Sequence, residues 1–222
     1  MRSNNARGTF VVNSNDETSI NEEEKEEREP YPTQDGKLKD NSVIVEEGAD
    51  VIYGNGYYGS FDEDRKLLLS PIESLLLVER GRLNVTTDDE DEAFTFDKLL
   101  TYFLKNDPQI WTRYLVYRDL RSRGYIVRAG LGDPIHYRIY PRGGVLGKDE
   151  AAYLVCIVVE GTPFKLDVLD SVTRQARNVR KKLVLAVVDN VGEVTYYLGT
   201  QVNLAVKKQI SDVTGKGGIQ KS

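Results

Sequence analysis

The sequence predicts an α/β protein made of a small α+β domain followed by an α/β domain with a mixed central sheet flanked by helices. Three observations carry this. Helix-period and strand-period segments alternate from residue 43 to about 200. Two unbroken apolar runs, 153–159 and 183–188, have the texture of strands covered on both faces. Asp107-Pro108 interrupts the chain between two helical patterns, which places a domain boundary there. A chain of 222 residues with 40% apolar content is long enough to bury a core.

Residues 1–42 are rich in Asn, Ser, Asp, Glu and Lys without apolar periodicity, so an acidic disordered tail is expected over that span. The first domain is expected over 43–108. It opens with a short strand at Val43-Ile44-Val45 and a Gly-rich aromatic turn from Tyr53 to Gly59. Ser70 as N-cap, Pro71 at the first helical position and Glu73 at the third predict a helix to about Glu79, ended by Gly81. A strand follows over 82–86, an acidic loop over 87–92, and a helix over 96–104 with Phe96, Leu99, Leu100 and Phe103 as its apolar positions.

The second domain is expected over 109–205. Its first helix spans 110–123 and ends at Gly124. Strands at 125–128 and 135–140 flank a turn at 130–134, and a buried strand follows at 153–159. A helix over 166–180 leads to strand 183–188, and a turn at 189–192 leads to a last strand at 193–198. Residues 206–222 read as a flexible tail.

The net charge of −5 conceals a polarity: residues 111–222 hold 18 Lys and Arg against 10 Asp and Glu, a net of +8, which leaves −13 for residues 1–110. A basic domain beside an acidic one suits a nucleic-acid binder, although charge on both parts also serves solubility. No apolar run is long enough for a membrane helix, and the N-terminus lacks a secretion-signal pattern, so a cytoplasmic protein is expected. One cysteine, Cys156, and one histidine, His136, rule out a cysteine-rich metal site and a metal-binding histidine pair, so neither metal nor cofactor is expected. Cys156 reads as core packing. The end of helix 166–180 gathers Arg174, Arg177, Arg180, Lys181 and Lys182, with 174, 177 and 181 on one face. Such a cluster can face phosphate, or simply complement the helix dipole.

Three ordered blocks resemble the archaeal tRNA-splicing endonuclease family. YLVYRDLRSRGYIVR at 114–128, HYRIY at 136–140 and RNVRKKLVLAVVD at 177–189 are similar to its C-terminal domain. The upstream YGNGYYGS and LLLSPIESLLLVERGRLNV are similar to its N-terminal domain. The resemblance implies a restriction-endonuclease-like nuclease domain and a metal-free Tyr-His-Lys triad. In that triad the ribose 2'-hydroxyl attacks the adjacent phosphate, giving 2',3'-cyclic phosphate and 5'-hydroxyl ends. Carried onto this chain, the tyrosine is Tyr140 and the lysine Lys181, but the histidine slot holds Glu150. An ionised glutamate cannot donate a proton to the leaving oxygen unless burial raises its pKa by several units. His136 stands four residues before Tyr140, about 13 Å away along a strand at roughly 3.3 Å per residue, and is a poor substitute for the missing acid.

The resemblance further implies that Arg174 contacts RNA; Arg177 and Arg180 of the same basic cluster are expected to bind RNA beside it, and His136 is expected to be structural or to contact RNA. The tryptophan that pairs with the family's arginine maps to about Gln201. Asp189 and Glu193 match an acidic loop that family members insert into a neighbouring subunit. The expected role is a structural subunit that binds the bulge-helix-bulge of precursor tRNA beside a homologous catalytic chain in a heterotetramer. The alternatives are an active nuclease subunit using Tyr140 and Lys181, and an RNA-binding or assembly protein of this fold outside splicing.

Overall fold

The computed structural model describes residues 32–88 and 92–200. In chain order these form β1 (Gln34–Lys39), β2 (Ser42–Val45), α1 (Ala49–Gly54), β3 (Ser60–Phe61), β4 (Leu67–Leu69), α2 (Pro71–Glu79), β5 (Leu83–Thr86), α3 (Phe96–Leu104), α4 (Ile110–Ser122), β6 (Ile126–Gly132), β7 (Ile135–Tyr140), β8 (Tyr153–Val159), α5 (Leu166–Asn178), β9 (Lys182–Val188) and β10 (Val194–Gly199). The strands make two mixed sheets, ordered β3-β4-β2-β1-β5 and β10-β9-β8-β7-β6. Each contains one parallel pair, β1 with β5 and β8 with β9, and is otherwise antiparallel.

The Ser70–Glu73 capping signal acts as expected. The Ser70 side chain accepts from the Glu73 amide while the Glu73 carboxylate accepts from the Ser70 amide, closing a capping box at the start of α2. Thr95 caps α3 by accepting from the Lys98 amide.

The sequence expectation is wrong at the N-terminal edge. Residues 34–39, assigned to the disordered tail, form β1, which lies inside the first sheet between β2 and β5. Its inward positions are Gly36 and Leu38, so one large apolar residue is all the pattern that the strand displays. Gly36 is there because the neighbours are close: a Cβ would stand 2.6 Å from a Val43 methyl. The expected aromatic turn begins inside α1, and Leu67–Leu69, just before the Ser70 cap, forms a strand that pairs with β2 and β3. Strand β6 continues to Gly132, leaving Asp133-Pro134 as the turn into β7, and α5 stops at Asn178. The remaining tail residues 1–31, the acidic-loop residues 89–91 and residues 201–222 lie outside the described residues.

One hydrophobic core joins the two expected domains. It runs from Val45, Leu69 and Leu76 through Phe103, Tyr114 and Tyr117 to Val155 and Ala186, so α2, α3 and α4 fill the space between the sheets. A smaller cluster of Leu154, Cys156, Val172, Ala176 and Leu183 seats α5 on the opposite face of the second sheet. Cys156 is core packing, as expected, and burial pushes its thiol up to about 11.

A polar lock sits inside this junction. The Glu73 carboxylate, in a residue 8% exposed, accepts from the Gly59 amide at 2.9 Å and the Ser70 amide at 3.0 Å. Arg128 of β6 lies 3.5 Å from that carboxylate and donates to the carbonyls of Tyr57 at 2.8 Å and Gly59 at 2.6 Å. Arg121 of α4 donates to the Gly56 carbonyl at 2.9 Å, and its guanidinium lies 4.1 Å from the Tyr58 ring centroid. Two arginines of the second unit thus hold one loop of the first. Gly59 has φ 69°, and a Cβ there would meet the Leu68 carbonyl at 2.6 Å, so the loop admits only glycine at that point.

Replacing Arg128 with Met keeps the packed stem but strands Glu73 and two carbonyls. The Arg128→Met variant is expected to lose about 3 kcal/mol of stability in urea unfolding. A loss below about 1 kcal/mol would show that the lock contributes little.

Candidate active site

The second sheet brings the sequence-predicted residues to one end. Strand β7 finishes there at Tyr140, which would sit opposite Ile126 of β6 and does so in the pairing register. The Ala152 amide, just before β8, donates to the Ile139 carbonyl at 2.8 Å, and the Lys182 amide donates to the Ala152 carbonyl at 3.1 Å. Because β7 runs against β8 while β8 and β9 run together, the C-terminus of one strand meets the N-termini of two. Residues far apart in sequence, Tyr140, Glu150 and Lys181, are gathered by that register alone. Tyr137 and Ile139 pair with Val155 and Tyr153 toward α4, so by alternation Tyr140 belongs to the α5 face.

Lys181 is aimed by the way α5 ends. The Arg180 amide donates to the Arg177 carbonyl at 3.0 Å and the Lys181 amide to the Ala176 carbonyl at 2.9 Å, the paired bonds of a Schellman ending. In the same ending of α2 and α4 the left-handed position is filled by Gly81 and Gly124; here it is Arg180, with φ 55°. Lys181 is therefore beyond the helix, and the expectation that 174, 177 and 181 share one helical face is corrected: Arg174 and Arg177 are helical, while Lys181 starts the return into β9.

The Lys181 side chain is 18% exposed and its Nζ donates to the Ala151 carbonyl at 2.9 Å and to Glu150 Oε2 at 3.2 Å. Glu150 is 91% exposed. The Lys181 ammonium thus faces a carboxylate.

His136 lies elsewhere. The β7–β8 ladder ends at Tyr137, and the His136 Nδ1 accepts the next amide, that of Ile157, at 3.1 Å. An Nδ1 that accepts leaves the proton on Nε2, which is 3.7 Å from Asp133 Oδ1. Burial holds the imidazole below its ordinary value, partly opposed by Asp133. Arg174 is paired with Asp170 one turn earlier, a partner legible from the i,i+4 spacing. Asp189 turns inward: its Oδ1 accepts from the amides of Val191 and Glu193, so it shapes the loop whose tip is Val191. The Ala151 carbonyl is the site member that sequence reasoning missed, since a backbone acceptor leaves no signature in residue types.

A family model described as the tRNA intron endonuclease N-terminal domain matches residues 34–100, and one for the catalytic C-terminal domain matches residues 110–196. The chain is 38% identical to a tRNA-splicing endonuclease of Methanothermobacter thermautotrophicus over 74% of its own length and 95% of the relative's. It is 37% identical to that of Thermococcus onnurineus and 36% identical to that of Pyrococcus furiosus, each over 68% of this chain and 85% of the relative.

Arg180→Gly removes a side chain from a left-handed position and is expected to raise stability by about 1 kcal/mol in urea unfolding; a destabilised variant would mean that the Arg180 side chain contributes more than its backbone costs. Because the folded pKa of His136 is depressed, its contribution to stability is fully present above the ordinary value of 6.5 and is lost as pH falls toward the folded value. His136→Asn, which keeps an acceptor for the Ile157 amide but cannot titrate, should show a smaller drop in Tm between pH 7 and pH 5 than the parent.

Proposed function

This chain belongs to the tRNA intron endonuclease family, and from that membership we propose that it is the structural, catalytically impaired subunit of a cytoplasmic tRNA-splicing endonuclease. It binds the bulge-helix-bulge of precursor tRNA and pairs with a homologous chain that cleaves, in a heterotetramer. The carrying observation is the Lys181–Glu150 contact at 3.2 Å. Cyclising cleavage needs a base for the 2'-hydroxyl, a cation for the phosphorane charge and an acid for the leaving oxygen. Tyr140 and Lys181 are suited to the first two. Glu150 places a carboxylate where the family carries its histidine and occupies the ammonium that would stabilise the phosphorane. His136 is engaged through Nδ1 four residues up the strand from Tyr140.

The retained groups have work apart from chemistry. Lys181 bonds the Ala151 carbonyl and so ties the start of β8 to the start of β9. Arg174, Arg177 and Arg180 extend a basic edge from the same place, suited to phosphate contacts. The loop from Asp189 to Glu193, held rigid by its own turn, is the segment proposed to enter a neighbouring subunit.

The test offers the purified chain a precursor tRNA with a bulge-helix-bulge, in EDTA. The chain alone is expected to bind without cleaving, and cleavage is expected once a homologous chain with an intact triad is added. Glu150→His should confer cleavage on the chain alone, abolished again by Lys181→Ala. Cleavage by the unaltered chain, lost in Lys181→Ala, would overturn this reading in favour of an active subunit.

A further inference from the structure

The opposite face of the same sheet end carries a second constellation that the cleavage chemistry does not use. Between the end of α4 and the α4-side face of the sheet lies a cavity of about 230 Å³ lined by Leu120, Ile139, Val184 and by Tyr125, Tyr153 and Tyr196. The three aliphatic residues are buried and form its floor. Each tyrosine ring has a cation against it: Arg142 is 5.6 Å from the Tyr125 ring centroid, Arg123 is 5.7 Å from that of Tyr196, and the Lys182 Nζ is 5.8 Å from that of Tyr153. The Tyr196 hydroxyl donates to Asp119 at 2.7 Å, and the same carboxylate holds Arg123 at 2.8 Å, so one wall is fixed in place. Arg142 and Lys182 have no carboxylate within ion-pair distance among the described residues.

We propose that this cavity is a stacking site for one unpaired ribonucleotide of the bound RNA, its base against the tyrosines and its phosphates on Arg142 and Lys182. Flat aromatic walls with cations at the rim match the two parts of a single-stranded nucleotide, a π-face and an anionic backbone. An apolar peptide side chain would use the floor but not the cations. The placement supports the assignment. Tyr125 precedes Ile126, the partner of Tyr140; Arg142 follows Tyr140 by two residues; Tyr153 is paired with Lys182, and Lys182 follows Lys181. A strand crossing this end of the sheet meets the Tyr140–Lys181 site on one face and the tyrosine cavity on the other.

The inference rests on the RNA-binding role proposed above, and the experiment separates the two. A bulge-helix-bulge RNA carrying 5-iodouridine at single bulge positions is bound to the full chain, together with its catalytic partner, and photocrosslinked. At least one position is expected to crosslink to the peptide containing Tyr125 or to that containing Tyr153. Tyr125→Leu is expected to weaken binding by about fivefold to a hundredfold, the range of one lost base stack. The exposed double change Arg142→Ala with Lys182→Ala, which leaves the core untouched, should weaken binding and reduce the slope of log affinity against log salt by about 2. Wild-type binding with crosslinks only elsewhere, and both variants within twofold at unchanged slope, would overturn the stacking site alone. Failure of the wild-type complex to bind the RNA would overturn the binding role and this site with it. Displacement of bound RNA by an acidic peptide seated in the cavity, with no tyrosine crosslink, would assign the cavity to a protein partner and also overturn it.

Discussion

The Glu73 carboxylate is the group on which the architecture turns. It closes the capping box of α2, anchors the Gly59 loop and faces Arg128 of the second sheet, so one buried charge serves a helix start, a loop and the junction between two units. A carboxylate so placed is tolerated only because amides, a hydroxyl and a guanidinium surround it. Its consequence is a single core. With the loop from Gly56 to Gly59 held by Arg121 and Arg128, α2 lies against α4 and the apolar faces of both sheets are closed by the same helices.

That junction fixes one face of the second sheet and leaves its end to define the site. α4 covers one side and α5 the other, and the termini of β7, β8 and β9 meet between them. Placement of Lys181 is set by backbone hydrogen bonds at the end of α5, and the residue that allows the turn is an arginine in a conformation glycine usually supplies. A surface ion pair such as Glu150 with Lys181 adds little stability, because one partner is almost wholly in water.

Much of this was readable from residue types. The capping box at Ser70 and Glu73, the helix over 96–104 and the two apolar runs of the second sheet announced themselves because short-range signals and burial agreed. β1 did not, since QDGKLK is a strand by virtue of pairing on both sides and carries one large apolar residue. Leu67–Leu69 gave no strand signal of its own beside the strong cap just after it, yet β2 and β3 claim its backbone. The basic cluster was read as one helical face because nothing in Arg180 signals a left-handed residue.

The sequence by itself therefore determined the α/β class, the mixed sheet of the second unit and the family resemblance, all of which depend on residue types at fixed spacing. Tertiary structure alone decided that Lys181 bonds Glu150 and the Ala151 carbonyl, that His136 caps the Ile157 amide, and that three tyrosines converge behind the site. The physical reason is the same in each case. Antiparallel and parallel pairings bring together residues separated by tens of positions, and their register depends on every strand in the sheet rather than on any local run of side chains.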